Sequence, residues 1–203
     1  MTPKENSWSI VVAGYWNRMI FTPKWVGKEI FKAPSVERLI SMAPVTPVIY
    51  RNDDITVAIG EEKLDVTLRK LNITCMKDAE QKVKDILTLL PHTPISAIGV
   101  NFGFVEENGE TSLLKLFNYQ DDPDIAASDN YEILRRQLTR QLRREGKILN
   151  LTLSFDGSRI EFDANFHVPV DSAKKAIDVI DNQTENMYNR LTTLLEKVYK
   201  LRP

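Results

Sequence analysis

Two stretches in which apolar and polar residues alternate organise the chain. In the first, Val45 to Tyr50 leads through Asn52-Asp53-Asp54 into Ile55–Ile59. After Gly60-Glu61-Glu62, the run Lys63–Leu68 places apolar residues at 64, 66 and 68. In the second, Leu149, Leu151, Leu153 and Phe155 alternate with Asn150, Thr152 and Ser154. A turn at Asp156-Gly157-Ser158 follows, and then Ile160, Phe162, Ala164, Phe166 and Val168 alternate with mostly polar residues. Successive side chains of a strand point to opposite faces. A period of two, with turn residues between runs, therefore predicts antiparallel hairpins covered on one face.

Each hairpin is preceded by an isolated strand pattern, Ser9 to Tyr15 and Ile95 to Val105, and then by a short amphipathic stretch, Trp25 to Phe31 and Leu113 to Phe117. Each is followed by helical spacing. Asp78 precedes Ala79, Val83, Ile86, Leu87 and Leu90, with Pro91 as the stop. Asp171 or Ser172 can cap a longer helix from Ala173. Between Tyr131 and Arg144 the signals conflict. Leu134, Leu138 and Leu142 stand four apart as on a helix, while the Glu145-Gly146 turn asks for a strand pairing with Ile148–Phe155. The expectation is helix or loop near Tyr131 and strand by Leu138.

These parallels predict an internal duplication. A shift of 96 positions lays Ile55–Leu68 on Leu151–Ala164, so that Ile55 meets Leu151, Val57 meets Leu153, Leu64 meets Ile160 and Val66 meets Phe162. The following helices align at a shift of 94, Ala79 on Ala173 and Val83 on Ile177. The fold expected is α+β: a curved antiparallel sheet from two β-α-β-β-β-α halves, helices on one face, and a long C-terminal helix. It is one domain of two pseudo-repeats, about 7–90 and 95–201, joined at 90–94 (Leu90-Pro91-His92-Thr93-Pro94). This order of elements resembles the duplicated saddle of TATA-binding proteins and, less closely, the helix-grip lipid-binding fold with its long C-terminal helix. The resemblance covers most of the chain and lies in topology alone. No signature motif of either family is present, so it implies a sheet architecture and transfers neither DNA binding nor lipid binding to particular residues.

The most specific pattern follows Asp171. Ala173, Ile177, Ile180, Thr184, Met187, Leu191, Leu194, Val198 and Leu201 are spaced by alternating fours and threes, an a/d seam sustained for about four heptads. A continuous helix from Ser172 to Leu201 would be ~45 Å long, against a radius of gyration near ~17 Å for a chain of this length. Tyr188, Leu195 and Tyr199 add a second apolar stripe beside the seam. A helix with two adjoining stripes can touch its own sheet and a second surface. Met187, Tyr188, Leu191, Leu194, Leu195, Val198 and Tyr199 are thus the candidate partner interface, with a second copy of the chain as the expected partner.

Composition changes the picture little. With 42% apolar and 27% charged residues in 203, the chain is that of an ordinary globular domain. The 27 Lys and Arg balance 28 Asp and Glu to a net charge of -1, which excludes a whole-molecule attraction to nucleic acid or anionic membrane. The single cysteine, Cys75, cannot form an internal disulfide. The N-terminus lacks the apolar core of a secretory signal, and no run approaches a membrane span. A cytoplasmic location is the expectation, and the Asn-x-Thr sequons at Asn72, Asn150 and Asn182 are read as chance.

Charge is distributed unevenly. Glu106 to Glu132 holds eight acidic residues against Lys115 alone, and Arg135 to Lys147 holds six bases against Glu145. Arg136, Arg140, Arg143, Arg144 and Lys147 are candidate phosphate contacts for a nucleic-acid-binding alternative. On a strand, Arg136, Arg140 and Arg144 would share the face of the leucines and Arg143 would take the other. Aromatics around Trp8, Trp16 and Trp25 interleave with Arg18, Lys24 and Lys28, as in a base-stacking platform or, the favoured reading, as core side chains closing one end of the sheet.

Catalytic sets are not apparent. His92 and His167 sit in different settings, Cys75 reads as a small core residue, and no phosphate loop, Gly-x-Ser-x-Gly or His-Glu-x-x-His occurs. Asp121, Asp122, Asp124 and Asp129 cluster, but Pro123 interrupts them and no calcium-loop glycine follows. Glu106, Glu107 and Glu110 flank a turn at Asn108-Gly109 and are expected to be solvated. No catalytic residue, metal or cofactor is assigned. The expected function is non-enzymatic protein binding, as a homodimer through the terminal helix. The alternatives are nucleic-acid binding by the sheet and the basic segment, or carriage of a small apolar ligand in a cavity lined by Leu151, Leu153, Phe162 and Ile180.

Overall fold

The computed structural model describes residues 1–39, 47–107, 111–128 and 131–202. It is a mixed α/β structure built on one large antiparallel sheet that does not close. In chain order the strands are β1 (Thr2–Pro3), β2 (Ser9–Gly14), β3 (Glu37–Leu39), β4 (Val48–Arg51), β5 (Ile55–Ile59), β6 (Lys63–Leu68), β7 (Ile95–Glu106), β8 (Arg136–Arg144), β9 (Lys147–Phe155) and β10 (Ile160–Pro169). The helices are α1 (Pro23–Trp25, running on as a π turn over Val26–Phe31), α2 (Ile73–Leu89), α3 (Thr111–Leu114, running on as a 3-10 turn), α4 (Asp122–Ala127), α5 (Ala173–Ile180) and α6 (Thr184–Tyr199).

The strands lie in the order β3-β4-β5-β6-β2-β7-β10-β9-β8, with β1 added to β7. From β4 to β8 this order reads as a palindrome about the β2–β7 pair. In the two hairpins Ile55 faces Leu68 and Val57 faces Val66, while Leu151 faces Ala164 and Leu153 faces Phe162. The expected strand near Val45 is present as Val48–Arg51; residues 45 and 46 lie outside the described residues, as do the Asn108-Gly109 turn, Glu110 and Asp129.

One face of the sheet carries the core. Ile10, Val12, Ile55, Val57, Leu64, Val66, Val100, Phe102, Leu151, Leu153, Phe162 and Ala164 are buried there beneath α1, α2, α5 and α6. Trp8 and Trp16 join them, in keeping with the core reading of the aromatic segment. So do the residues proposed to line a carrier cavity, Leu151, Leu153, Phe162 and Ile180, all exposed by 1% or less.

The opposite face is polar. One row of cross-strand partners crosses the whole path: Glu37, Arg51, Thr56, Thr67, Ser9, Asn101, Asn165, Asn150 and Gln141. In this row Gln141 donates to Asn150 (3.0 Å), Asn150 to Asn165 (3.2 Å), Asn165 to Asn101 (2.7 Å) and Asn101 to Ser9 (3.0 Å). Neighbouring amides can each donate and accept, so the row solvates the open face and fixes strand register together.

Two local expectations are corrected. α2 begins at Ile73 rather than near Asp78, because the Asn72 side chain accepts from the Cys75 amide at 2.9 Å and starts the helix a turn and more earlier. The C-terminal segment is helical throughout its expected length except at a break over 181–183. Ser172 caps α5, and Asn182 then adopts a left-handed φ of 54°. The buried Glu80 of α2, 5% exposed, accepts from the amides of Asn182 (2.7 Å) and Thr184 (3.2 Å) and from the Thr184 hydroxyl (2.6 Å). It caps α6 from another element. All three sequon asparagines therefore serve the fold: Asn72 as a cap, Asn150 in the amide row and Asn182 in the break.

The close approach of β2 to the segment ending at Pro94 demands a glycine at 14. A Cβ there would stand 2.3 Å from the Pro94 carbonyl oxygen, a backbone atom that cannot swing away. Gly14→Ala should destabilise the chain by about 2 kcal/mol through overpacking, seen as a lower denaturant midpoint in urea.

Candidate functional site

The candidate site lies between α6 and the β8–β9 hairpin. The hairpin turns on Glu145 (φ 53°) and Gly146 (φ 76°), both left-handed, the geometry that two-residue loops between twisted strands require. The strand reading of the Leu138–Arg144 segment holds, so its side chains alternate. Arg140 pairs with the buried Leu151, which puts Arg136, Leu138, Arg140, Leu142 and Arg144 on the helix-bearing face and Arg143 on the open one.

Helix α6 crosses that face. Met187, Leu191, Leu195 and Tyr199 are buried against the sheet, and Tyr188 packs on Trp8 and Phe102 with ring centroids 5.3 and 5.7 Å away. Burial raises the Tyr188 phenol above its ordinary range. Of the expected interface, five of the seven residues are thus committed largely to the chain's own core. Leu194 is half-buried and Val198 is 59% exposed. Beside them Leu142 is 37% exposed on β8, the edge strand.

These residues enclose a groove of about 380 Å³, floored by Leu142, Leu149, Phe166, Met187, Leu194 and Val198. Its rim carries Arg144, Lys147, Arg190 and Lys197. A second hollow of about 390 Å³ adjoins it, sharing Leu142, Leu194 and Val198 and adding Leu113, Leu116, Arg140 and Lys200. Two signals that were separate in the sequence meet here: the far end of the heptad seam and the basic segment.

The electrostatics are one-sided. Glu145 lies 3.2 Å from Arg144 and 3.6 Å from Arg190, and Arg140 donates to the Tyr199 hydroxyl at 3.0 Å. Lys147 and Lys197 have no ion-pair partner among the described residues. No acidic side chain, histidine or cysteine lines either hollow. An apolar floor under a cationic rim suits a ligand that is apolar at its centre and anionic at its edges.

The basic segment divides. Arg136 pairs with Asp122 at 2.9 Å, Arg140, Arg144 and Lys147 reach the groove, and Arg143 lies on the open face. That face is internally compensated: Glu161 takes ion pairs from Lys4 (3.1 Å) and Arg159 (2.9 Å), and Asp163 from Lys4 (3.0 Å). Among the described residues no three His, Cys, Asp or Glu side chains assemble into a cation site, and no helix is long and apolar enough to cross a membrane.

Sequence reasoning missed Arg190 and Lys197, whose signal was available. They stand seven apart on α6, alongside Leu194, on the flank of the seam that the sheet leaves open. Phe166 and Leu149 could not be assigned to the groove without knowing that β10 and β9 run beneath α6. Comparison with protein-family models finds no match to this chain, and no curated protein matches its sequence with significance.

Proposed function

We propose that this chain works by binding another protein, whose apolar side chains enter the groove between α6 and the β8–β9 hairpin. The observation that carries this reading is the juxtaposition of exposed apolar side chains, Val198 at 59% and Leu142 at 37%, with a rim of bases whose one ion-pair partner among the described residues is Glu145. Apolar anchors in a concave site supply binding energy, and the surrounding charges select the partner. An acidic partner segment with spaced apolar residues is the complement.

A second copy of the chain is the other reading, favoured by the exposure of Val198 at the end of the seam. Against it, two copies of one basic rim repel. Sedimentation separates the two: a mass of 23.3 kDa supports a hetero-partner, and twice that supports self-association.

Selection of a displayed random-peptide library against the intact chain tests the groove. The expected winners are rich in Asp and Glu with Leu or Phe interspersed, and Val198→Asp should weaken them about tenfold or more while shifting stability by less than about 0.5 kcal/mol, since that side chain is mostly solvated. Winners that ignore Val198→Asp and Leu194→Asp, or that are basic, would reject the reading. Tight retention on single-stranded DNA or RNA in place of peptides would transfer the site to the nucleic-acid alternative.

A further inference from the structure

Strand β8 ends the sheet, and we infer that its free edge receives an extended acidic segment of a partner protein as an added antiparallel or parallel strand. This inference rests on the groove reading and specifies how the partner lies in it.

Two observations fix which backbone groups are free. Arg144 and Lys147 close a two-residue hairpin, so they exchange hydrogen bonds, and by alternation Leu142, Arg140 and Leu138 also bond to β9. Independently, the Tyr119 hydroxyl donates to the Gln137 carbonyl at 2.9 Å from outside the sheet, which shows that the odd-numbered residues turn their backbone groups outward. Beyond Tyr119, the N–H and C=O groups of Thr139, Gln141 and Arg143 point away from β9, and all three residues are exposed, with the turn Lys115–Phe117 against β8. Among the described residues no strand covers this edge. β3, at the other end of the path, covers Glu37–Leu39 among the described residues.

The side chains along the edge choose the guest. An added strand sets alternate residues beside Leu142 on the helix-bearing face, where the hollow shared by Leu116, Leu194 and Val198 receives apolar groups. The intervening residues fall beside Thr139, Gln141 and Arg143 on the open face. On that open face Arg143 has no ion-pair partner among the described residues, whereas Arg140, Arg144 and Lys147 lie on the helix-bearing face at the groove. A second β8 would set Arg140 and Arg144 against the same basic strand, like charges across a ladder that the pairing disfavours. A guest with acidic residues beside Arg143, apolar residues beside Leu142 and an acidic end reaching Arg144 and Lys147 fits both faces.

The probe is a fluorescent heptapeptide, Glu-Leu-Glu-Val-Glu-Leu-Glu, followed by anisotropy on the full chain. It should bind, and the same peptide with Lys for Glu should not. N-methylation of alternate residues separates strand addition from simple groove binding, because only every second guest N–H points at the host. One methylated set should bind about a hundredfold more weakly and the other nearly as well as the parent; the set affected reports whether the strand runs parallel or antiparallel. Gln141→Pro removes an outward N–H without removing a bond to β9 and should weaken the peptide about tenfold. Should that variant melt early, the methylated peptides on the unaltered protein decide alone. Equal behaviour of the two sets, or no binding of the parent peptide, overturns strand addition; the groove reading falls separately, on library-selected peptides that ignore Val198→Asp and Leu194→Asp or that are basic.

Discussion

Replacing Trp8 by alanine should remove about 4 kcal/mol of stability, the range for emptying a buried indole site. For a chain of this size that lowers the midpoint of thermal unfolding by roughly 8–16 °C. The indole is 1% exposed at the start of β2. It meets Phe102 and Phe104 of β7 edge-on, with centroids 5.2 and 5.7 Å away, and Tyr188 of α6 at 5.3 Å. One side chain thus ties the two central strands to the helix that walls the candidate groove. Its Nε1–H donates to the Gly103 carbonyl at 3.0 Å, an oxygen that also accepts from the Lys4 amide at 2.9 Å. Loss of the indole leaves that carbonyl satisfied, so the expected penalty comes from packing. Trp8→Phe, which keeps a ring and loses the N–H, should recover more than half of the loss in calorimetry. A Trp8→Ala midpoint within 2 °C of the parent would contradict this account.

Glu80→Ala should follow closely, at about 3 kcal/mol. The carboxylate binds two amides and a hydroxyl at the start of α6, and all three donors would be left in a site where Thr184 is fully buried. Lys84 pairs with Asp181, and Lys77 with Glu185 at 2.7 Å, so α2 grips both sides of the break. The pair with Asp181 raises the Lys84 ammonium above its ordinary value, through the hydrogen bond first and the charge second, against desolvation. These exposed pairs add little and do not replace the buried cap. The local sign of the loss is faster hydrogen exchange at the Asn182 and Thr184 amides, beyond the slowing or quickening of α2 as a whole. Glu80→Gln retains one acceptor oxygen but turns an NH₂ toward the same donors, and should fall between the parent and Glu80→Ala.

The break that Glu80 stabilises explains one failure of sequence reading. The fours and threes of the heptad seam continue from Ile180 to Thr184 to Met187 without a slip. They do so because α5 and α6 each face the same sheet, not because one rod carries them. Asp181-Asn182-Gln183 was the contrary signal, since Asn tolerates a left-handed backbone and Asp and Asn are weak helix formers. The same limit applies to the seam's far end, where the pattern alone leads to the expectation of a partner. A periodicity shows that a face is apolar and leaves open what covers it; here β7, β9 and β10 cover most of it, and at its far end Leu194 and Val198 remain accessible beside Leu142.

The chain alone determined its strands, its hairpins and their register. Ile55–Ile59 and Lys63–Leu68 stand where the alternation placed them, and Leu151 faces Ala164 as Ile55 faces Leu68. Period-two patterning and turn residues act between neighbours in sequence, so they are legible there. Tertiary structure decided which strands adjoin, with β2 beside β7 at the centre, and where the terminal helix divides, capped by a residue 102 positions away. It also decided that Arg190, Lys197, Arg144 and Lys147 rim one groove. Those outcomes depend on surfaces that meet only after the two halves of the sheet have joined, and no local periodicity encodes them.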